Sequence, residues 1–417
     1  MNTTPLASRW VIGIFGKRNV GKSSLLNALT GQEIAVTSPV PGTTTDPVHK
    51  AMELLPLGPV VLVDTAGLDD SEALGQKRIE KTYEVLRKCD LALVVVNSAA
   101  GISSLETKFV DRLKRENIPF LFVFNQCDRS LPPKDEIRLL AERMKAPVVP
   151  VSALSGFGIE TLKQEIIACS LPSETEPPLL HDLIQEGETA VLVTPIDKSA
   201  PKGRLILPQQ QTIRALLDSG AVAVVTKEDQ LKQTLRNLHQ PPAIVITDSQ
   251  AFAKVSEATP DEILMTSFSI LFARQKADLC EMVRGLLRIK QLLPGEKVLI
   301  AEGCTHHRQS DDIGLLKIPQ WIRQIAGNEI FFEWESGGHY PSDLSAYAVV
   351  VHCGGCMLNQ KEMRYRINQA REQGVGITNY GLLIAFALGI LPRALLPFPE
   401  AKRVFDEIKE AGILPLE

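Results

Sequence analysis

One octapeptide constrains this chain more than any other feature in it. Gly16 to Ser23 reads GKRNVGKS and fits G-x-x-x-x-G-K-[ST]. It lies directly between the apolar run RWVIGIFG (9–16) and a helical pattern beginning at Ser23. Such a loop needs a strand to deliver it and a helix to leave it. Successive backbone N–H groups and the positive end of the helix then cradle phosphate oxygens. Gly16, Asn19, Val20, Gly21, Lys22, Ser23 and Ser24 would surround the nucleotide. Lys22 would reach the terminal phosphates, and the Ser23 hydroxyl would bind Mg²⁺.

The surrounding pattern meets that demand. Apolar runs at 9–16, 60–67, 91–98, 120–126 and 147–153 alternate with helical patterns beginning at Ser23, Gly75, Ser104, Lys134 and Gly158. This alternation predicts a mostly parallel sheet covered on both faces. Residues 171–182, rich in Pro and acidic residues, read as a linker. A second block follows, with strand-like runs at 188–196, 221–226 and 243–249. It carries neither a phosphate loop nor a metal-ligand cluster, so it reads as a packing or oligomerisation module. An edge strand such as 188–196 could pair across a two-fold axis. The expected class is α/β, with three consecutive domains. They are a P-loop domain over 1–172, a small module over 183–260, and a C-terminal parallel α/β metal-binding domain over 261–417. The last begins with a helical connector, 261–293, and has strand candidates at 297–303, 329–336, 346–352 and 374–380.

Composition narrows the classes further. An apolar fraction of 44% with 23% charge, over 417 residues, excludes a disordered or fibrous chain. The net charge of −4 gives no bulk attraction to nucleic acid or anionic lipid. Seven cysteines in a chain of this length are no disulfide scaffold. No apolar run reaches the roughly 18 to 20 residues of a membrane span, and GLLIAFALGIL (381–391) reads as a buried helix. The first residues lack the pattern of a secretory signal. The expectation is a reduced, cytoplasmic protein without nucleic-acid or membrane partners.

Further motifs follow the phosphate loop in order. Asp64-Thr65-Ala66-Gly67 places a carboxylate near the metal and a glycine near the γ-phosphate. Asn125-Gln126-Cys127-Asp128 ends a later strand, where the Asp128 carboxylate can accept two N–H bonds from guanine. Ser152-Ala153 can close over the base, and PGTTTDP (41–47) is a polar loop suited to a switch. Together these residues point to GTP. The set resembles the TrmE-Era-like branch of the translation-factor-type G proteins, which modify tRNA or assemble ribosomes. By that likeness Thr44 is the switch threonine. Lys22, Thr44, Asp64 and Gly67 form the catalytic set, and Ser23, Thr44 and Asp64 hold Mg²⁺. Two departures stand out. Gln126 replaces a usual Lys whose stem packs along the base, which predicts weaker affinity. Leu68 stands where Ras-like proteins place a water-orienting Gln, which predicts slow intrinsic hydrolysis. In the potassium-activated G proteins an Asn at the position of Asn19 coordinates K⁺. The plainer reading is a loop Asn in an unusual backbone geometry.

The third block carries a different signature. Cys304-Thr305-His306 ends one strand, and His352-Cys353-Gly354-Gly355-Cys356 ends another, with 45 residues between His306 and His352. In a parallel sheet both strand ends emerge on the carboxyl edge, where open α/β sheets place their ligand sites. Three thiolates would converge there, and Gly354 and Gly355 would let the backbone wrap a bulky group. Three Cys and a His could hold zinc. Three Cys could equally hold a 4Fe–4S cluster with one iron open, with His306, His307 or His352 as ligand or neighbour. The isolated Cys89, Cys169 and Cys280 read as apolar packing.

The whole chain, G domain, middle module and C-x-H…H-C-x-x-C, resembles the FeFe-hydrogenase maturation GTPases of the HydF family. The resemblance implies a 4Fe–4S cluster on Cys304, Cys353 and Cys356, with His306 or His352 as candidate fourth ligand or second neighbour. It implies a dimerising middle module and a scaffold role. A diiron subcluster precursor is the cargo, received from the radical-SAM maturases HydE and HydG and delivered to apo FeFe-hydrogenase, HydA. The competing readings are a tRNA-modification or ribosome-assembly GTPase with a zinc module, and an interaction protein whose G domain only switches. The first of these needs an RNA-binding surface, which the charge does not supply.

Overall fold

A computed structural model of the chain describes residues 9–31, 48–69, 75–170, 178–196, 205–303, 313–337 and 339–410. The switch segment 41–47 with Thr44, and Cys304, His306 and His307, lie outside the described residues. The chain forms two compact units, Met1–Thr175 and Glu176–Glu417.

The first unit runs β1 (Trp10–Gly16), α1 (Lys22–Thr30), β2 (Val48–Leu54), β3 (Gly58–Asp64), α2 (Gly75–Lys88), β4 (Leu91–Asn97), α3 (Ser104–Arg115), β5 (Phe120–Asn125), α4 (Lys134–Met144), β6 (Val148–Pro150) and α5 (Ile159–Ser170). Its sheet has the order β2-β3-β1-β4-β5-β6. All neighbours are parallel except β2, which runs antiparallel to β3. Side-chain alternation feeds a core on each face. Ile12, Ile14, Leu93 and Val95 fill one, and Val11, Phe15, Val94 and Val96 fill the other. The sequence does not announce β2. Only Leu54 of this edge strand is buried, so it has no apolar run to show.

The second unit opens with β7 (Thr189–Val193), α6 (Leu207–Asp218), β8 (Val222–Thr226), α7 (Leu231–Asn237), β9 (Ile244–Thr247), α8 (Phe252–Ala258) and β10 (Leu264–Ser267). It continues with α9 (Phe268–Lys276), α10 (Leu279–Lys290), β11 (Lys297–Glu302), α11 (Ile318–Ala326), β12 (Phe331–Ser336), β13 (Val349–His352), α12 (Gln360–Glu372), β14 (Gly376–Asn379), α13 (Tyr380–Ala387), α14 (Leu391–Ala394) and α15 (Pro399–Ile408). Its two sheets, β10-β9-β7-β8 and β12-β11-β13-β14, are wholly parallel.

Two expectations are corrected here. The segment 261–293 is not a purely helical connector, because Leu264–Ser267 adds a fourth strand beside β9. Four residues leave too little pattern for recognition. The run 188–196 is not an edge strand either, since β7 lies between β9 and β8. The edges are β10 and β8, and on β8 Val222 and Val225 are 48% and 45% exposed. The two sheets also share one core, a continuous cluster of buried side chains from Leu179 to Phe405. The apolar α13 is buried in that core through Leu382–Ala385. No helix among the described residues is long and apolar enough to cross a membrane.

Helix α10 packs closely against β14 in the second unit. A Cβ at Gly285 would lie 1.9 Å from the Ile377 carbonyl oxygen and 2.6 Å from its nitrogen. Both are backbone atoms and cannot swing away. Gly285→Ala should therefore lower the stability of this unit by about 3 kcal/mol, read as an earlier urea midpoint with nucleotide binding unchanged. An unchanged midpoint would show that α10 is not seated against β14.

Candidate functional sites

The phosphate loop spans the gap between β1 and α1. Gly21, at φ 89°, occupies the left-handed region, and a Cβ there would lie 2.3 Å from Asn125 Nδ2. Lys22 is buried, and its Nζ donates to the carbonyls of Gly16 (3.1 Å) and Lys17 (2.8 Å). Ser24 follows, half-buried, in the first turn of α1. Ser23 Oγ donates to Asp64 Oδ2 at 2.5 Å. Asp64 Oδ1 is buried and has no hydrogen-bond partner among the described residues. Burial pushes the Asp64 carboxyl up, against the pull of Ser23, Lys22 and the Thr65 amide. A buried carboxylate oxygen left unsatisfied is costly, and a divalent cation beside the Ser23 hydroxyl would satisfy it. The pair therefore fits Mg²⁺, which supplies positive charge to the β- and γ-phosphates when bound.

The Asp64–Gly67 segment lies against this loop. Leu68 N donates to Gly16 O (3.1 Å), and Arg18 N donates to Asp69 Oδ1 (2.8 Å). Gly67 is packed so closely that a Cβ would lie 2.5 Å from Arg18 Cγ. Leu68 packs against the core beneath it, and its side chain has no group to orient water. Asn19 is exposed and sits at φ 61°, the unusual backbone geometry of the plainer reading.

The base-reading motif is tied to the same loop. Asn125 is buried; its Nδ2 donates to Val20 O (2.9 Å), and its Oδ1 accepts from Ala153 N (3.0 Å). Ser152 Oγ donates to Asp128 Oδ1 at 2.6 Å and fixes that carboxylate at the surface. Gln126 does more than shorten the missing Lys. Its Nε2 donates to Asn19 O (3.2 Å), while its Oε1 accepts from Asn97 Nδ2 (2.8 Å). It thus bridges the base motif to the phosphate loop. Cys127 is buried and its thiol is pushed up by burial, so it packs rather than reacts. Lys17, which the sequence left without a role, reaches Ser103 Oγ (2.7 Å) and lies 3.6 Å from Glu106 at the start of α3.

The second site lies on the carboxyl edge of the last sheet. Parallel pairing sets Ala301 opposite His352, and Cys353 N donates to Ala301 O at 2.8 Å. Cys353 Sγ accepts from Gly303 N (3.1 Å) and Gly355 N (3.4 Å). Gly303 is the residue immediately before Cys304. Gly355 adopts φ 62°, and a Cβ there would lie 2.9 Å from Met363 Sδ, so this turn needs glycine. Cys356 is half-buried; burial pushes its thiol up, against the nearby Lys276 ammonium. Among the described residues no three His, Cys, Asp or Glu side chains meet as a metal site.

His352 is fully buried and both ring nitrogens are engaged. Nε2 lies 3.0 Å from Arg366 Nη1, and Nδ1 lies 2.8 Å from Cys353 O. A guanidinium can only donate, so Nε2 accepts and the ring proton goes to Cys353 O. Burial, then Arg366, pushes the imidazole down to about 3, so it is neutral. Arg366 is itself buried and pairs with Glu362 (3.1 Å). Of the two roles open to His352, ligand or neighbour, this geometry matches the neighbour that orients the Cys353 carbonyl. The donor set, two sulfurs steadied by N–H groups around a glycine turn, fits a thiophilic group such as zinc or an iron–sulfur cluster.

Fold and nucleotide site define a P-loop GTPase domain joined to a second α/β unit with a cysteine-bearing edge. Comparison with known proteins agrees with this division. Residues 11–126 match the profile of the 50S ribosome-binding GTPases, 179–277 that of the hydrogen maturase F dimerization domain, and 280–397 that of the hydrogen maturase F tetramerization domain. The chain belongs to the hydrogen maturase F family. It is 39% identical over 153 residues to the tRNA modification GTPase MnmE of Nitrosomonas europaea, covering 36% of this chain and 33% of that one. It is 38% identical over 164 residues to the GTPase Der of Wolinella succinogenes, covering 37% and 35%. The chain thus spans about a third of the length of these curated relatives. A solved structure of Era with MgGDPNP and a 16S ribosomal RNA segment is similar with a TM-score of 0.36 and 21% identity, over 52% of this chain and 91% of that one.

Proposed function

We propose that this protein is a GTP hydrolase and iron–sulfur scaffold of the cytoplasm, which carries a diiron subcluster precursor to apo FeFe-hydrogenase. The observation that carries this reading is the meeting of Gly303 and Cys353 on one sheet edge, in a chain of the hydrogen maturase F family. Cys304, Cys353 and Cys356 would hold a 4Fe–4S cluster, with its fourth iron open to an exchangeable ligand. His306 and His307 are the remaining histidine candidates for that position. The cargo would come from the radical-SAM maturases HydE and HydG and pass to HydA.

The G domain's residues act in separate roles. Lys22 turns its ammonium from the loop carbonyls to the β- and γ-phosphates. Ser23 and Asp64, with Thr44 from the switch, hold Mg²⁺. Asp128, fixed by Ser152, accepts from the guanine edge. Leu68 cannot orient the attacking water, so turnover is slow without another source of charge. Asn19 at the loop mouth would supply one by holding K⁺ beside the phosphates.

Self-association would follow the middle sheet. One of its two edge strands, β8, presents Val222 and Val225 to solvent, as a strand awaiting a partner does. A second copy pairing there would make the homodimer.

Three outcomes are expected. Cys353→Ser should abolish iron binding and hydrogenase activation but leave GTP hydrolysis within about twofold, because the GTPase unit is separately compact. Full iron content in this variant would refute the ligand set. GTP hydrolysis should run severalfold faster in KCl than in matched NaCl, with the difference lost in Asn19→Ala; equal rates in both salts would remove the K⁺ role. Val225→Lys should shift light scattering toward the monomer, and an unaltered dimer would move the interface elsewhere.

A further inference from the structure

The cysteine loop is held from beneath by a residue of the preceding module. Lys276 is the last residue of α9 and is only 6% exposed. Its Nζ donates to Leu358 O (2.9 Å) and Gly355 O (3.3 Å), carbonyls that flank Cys356. The ammonium also lies 5.4 Å from the centre of the Phe272 ring. One residue earlier, Gln275 O accepts from Gln360 Nε2 at 2.9 Å. The end of α9 thus grips the loop and the start of α12 together.

The charge of this lysine is what needs explaining. A buried ammonium is costly unless it is paired, yet its bonding partners are neutral carbonyls. The other buried cation nearby, Arg366, is balanced by Glu362. Lys276 sits beside Cys353 and Cys356, whose thiolates would supply the missing negative charge. Burial pushes Lys276 down to about 8, and the two sulfurs work against that shift.

We propose that Lys276 is a positioning residue for the metal centre: its buried positive charge holds the Cys356 loop closed and offsets the negative charge of a thiolate-bound iron–sulfur cluster. This rests on the iron–sulfur reading above. Reduction adds an electron to a group that is already anionic, so a fixed cation beside it favours the reduced state. Gln275 and Lys276 fall within the residues matching the dimerization domain, 179–277, while the loop falls within 280–397. The module that self-associates would thereby touch the centre that carries cargo.

The test uses the full chain, purified without oxygen, as wild type, Lys276→Met and Lys276→Arg. Iron content and the reduction potential, followed by EPR, are measured, with GTP hydrolysis as the check on folding. Lys276→Met should keep GTP hydrolysis and shift the reduction equilibrium at least tenfold toward the oxidised state, which is about 59 mV for one electron. Alternatively it should lose iron that Lys276→Arg retains. Either result supports the proposal. Full iron with an unchanged potential in Lys276→Met overturns it, and so does equal iron loss in both variants, because charge is then not what matters. A wild type without iron would overturn the cluster reading itself, which separates the two failures.

Discussion

The parallel pairing of β11 with β13 is the contact on which the second half of this molecule depends. It sets Ala301 against His352 and passes the Cys353 amide to the Ala301 carbonyl. Through it, two segments some fifty residues apart in sequence end on one edge. The surrounding structure serves that edge. His352 fixes the Cys353 carbonyl through Nδ1, while its Nε2 accepts from Arg366, which Glu362 holds in turn. Gly285 lets α10 lie against β14, the strand next to β13. Gly355 makes a turn that a side chain would block.

The nucleotide site is built on the same principle at a different sheet. Strands β1, β3 and β5 each end in a functional segment, so the phosphate loop, Asp64 and the base-reading motif share one carboxyl edge. Asn125 of the base-reading motif bonds Val20 O of the phosphate loop and Ala153 N of the segment after β6. Gln126 adds a second link through Asn19 O. The substitution of Lys by Gln therefore changes the kind of bridge between base motif and phosphate loop, from an aliphatic stem to an amide held by Asn97.

The parts of this fold that were legible in the sequence share a physical cause. Strands buried on both faces, such as Leu91–Asn97 and Val349–His352, must be continuous apolar runs, and they read as such. The edge strand Val48–Leu54 has no such requirement, and Leu264–Ser267, though buried, is four residues long and ends in Thr and Ser, so neither announces itself. Which strand forms the edge of the middle sheet depends on strand order, which local pattern does not encode, so 188–196 was misplaced. The phosphate loop was legible because few residue types do its chemistry. Lys276, Arg366 and Asn97 were not. In sequence Lys276 is an ordinary basic residue at a helix end, and only burial beside Gly355 and Leu358 gives it meaning.

We propose that the edge formed by β11 and β13 holds an iron–sulfur cluster rather than a single metal ion. Metal and sulfide analysis of the whole protein, purified without oxygen and read alongside its visible spectrum, tests it directly. The expected result is a brown protein with about four iron and four sulfide per chain, in line with one four-iron cluster. A colourless protein carrying one zinc per chain and no sulfide would contradict it.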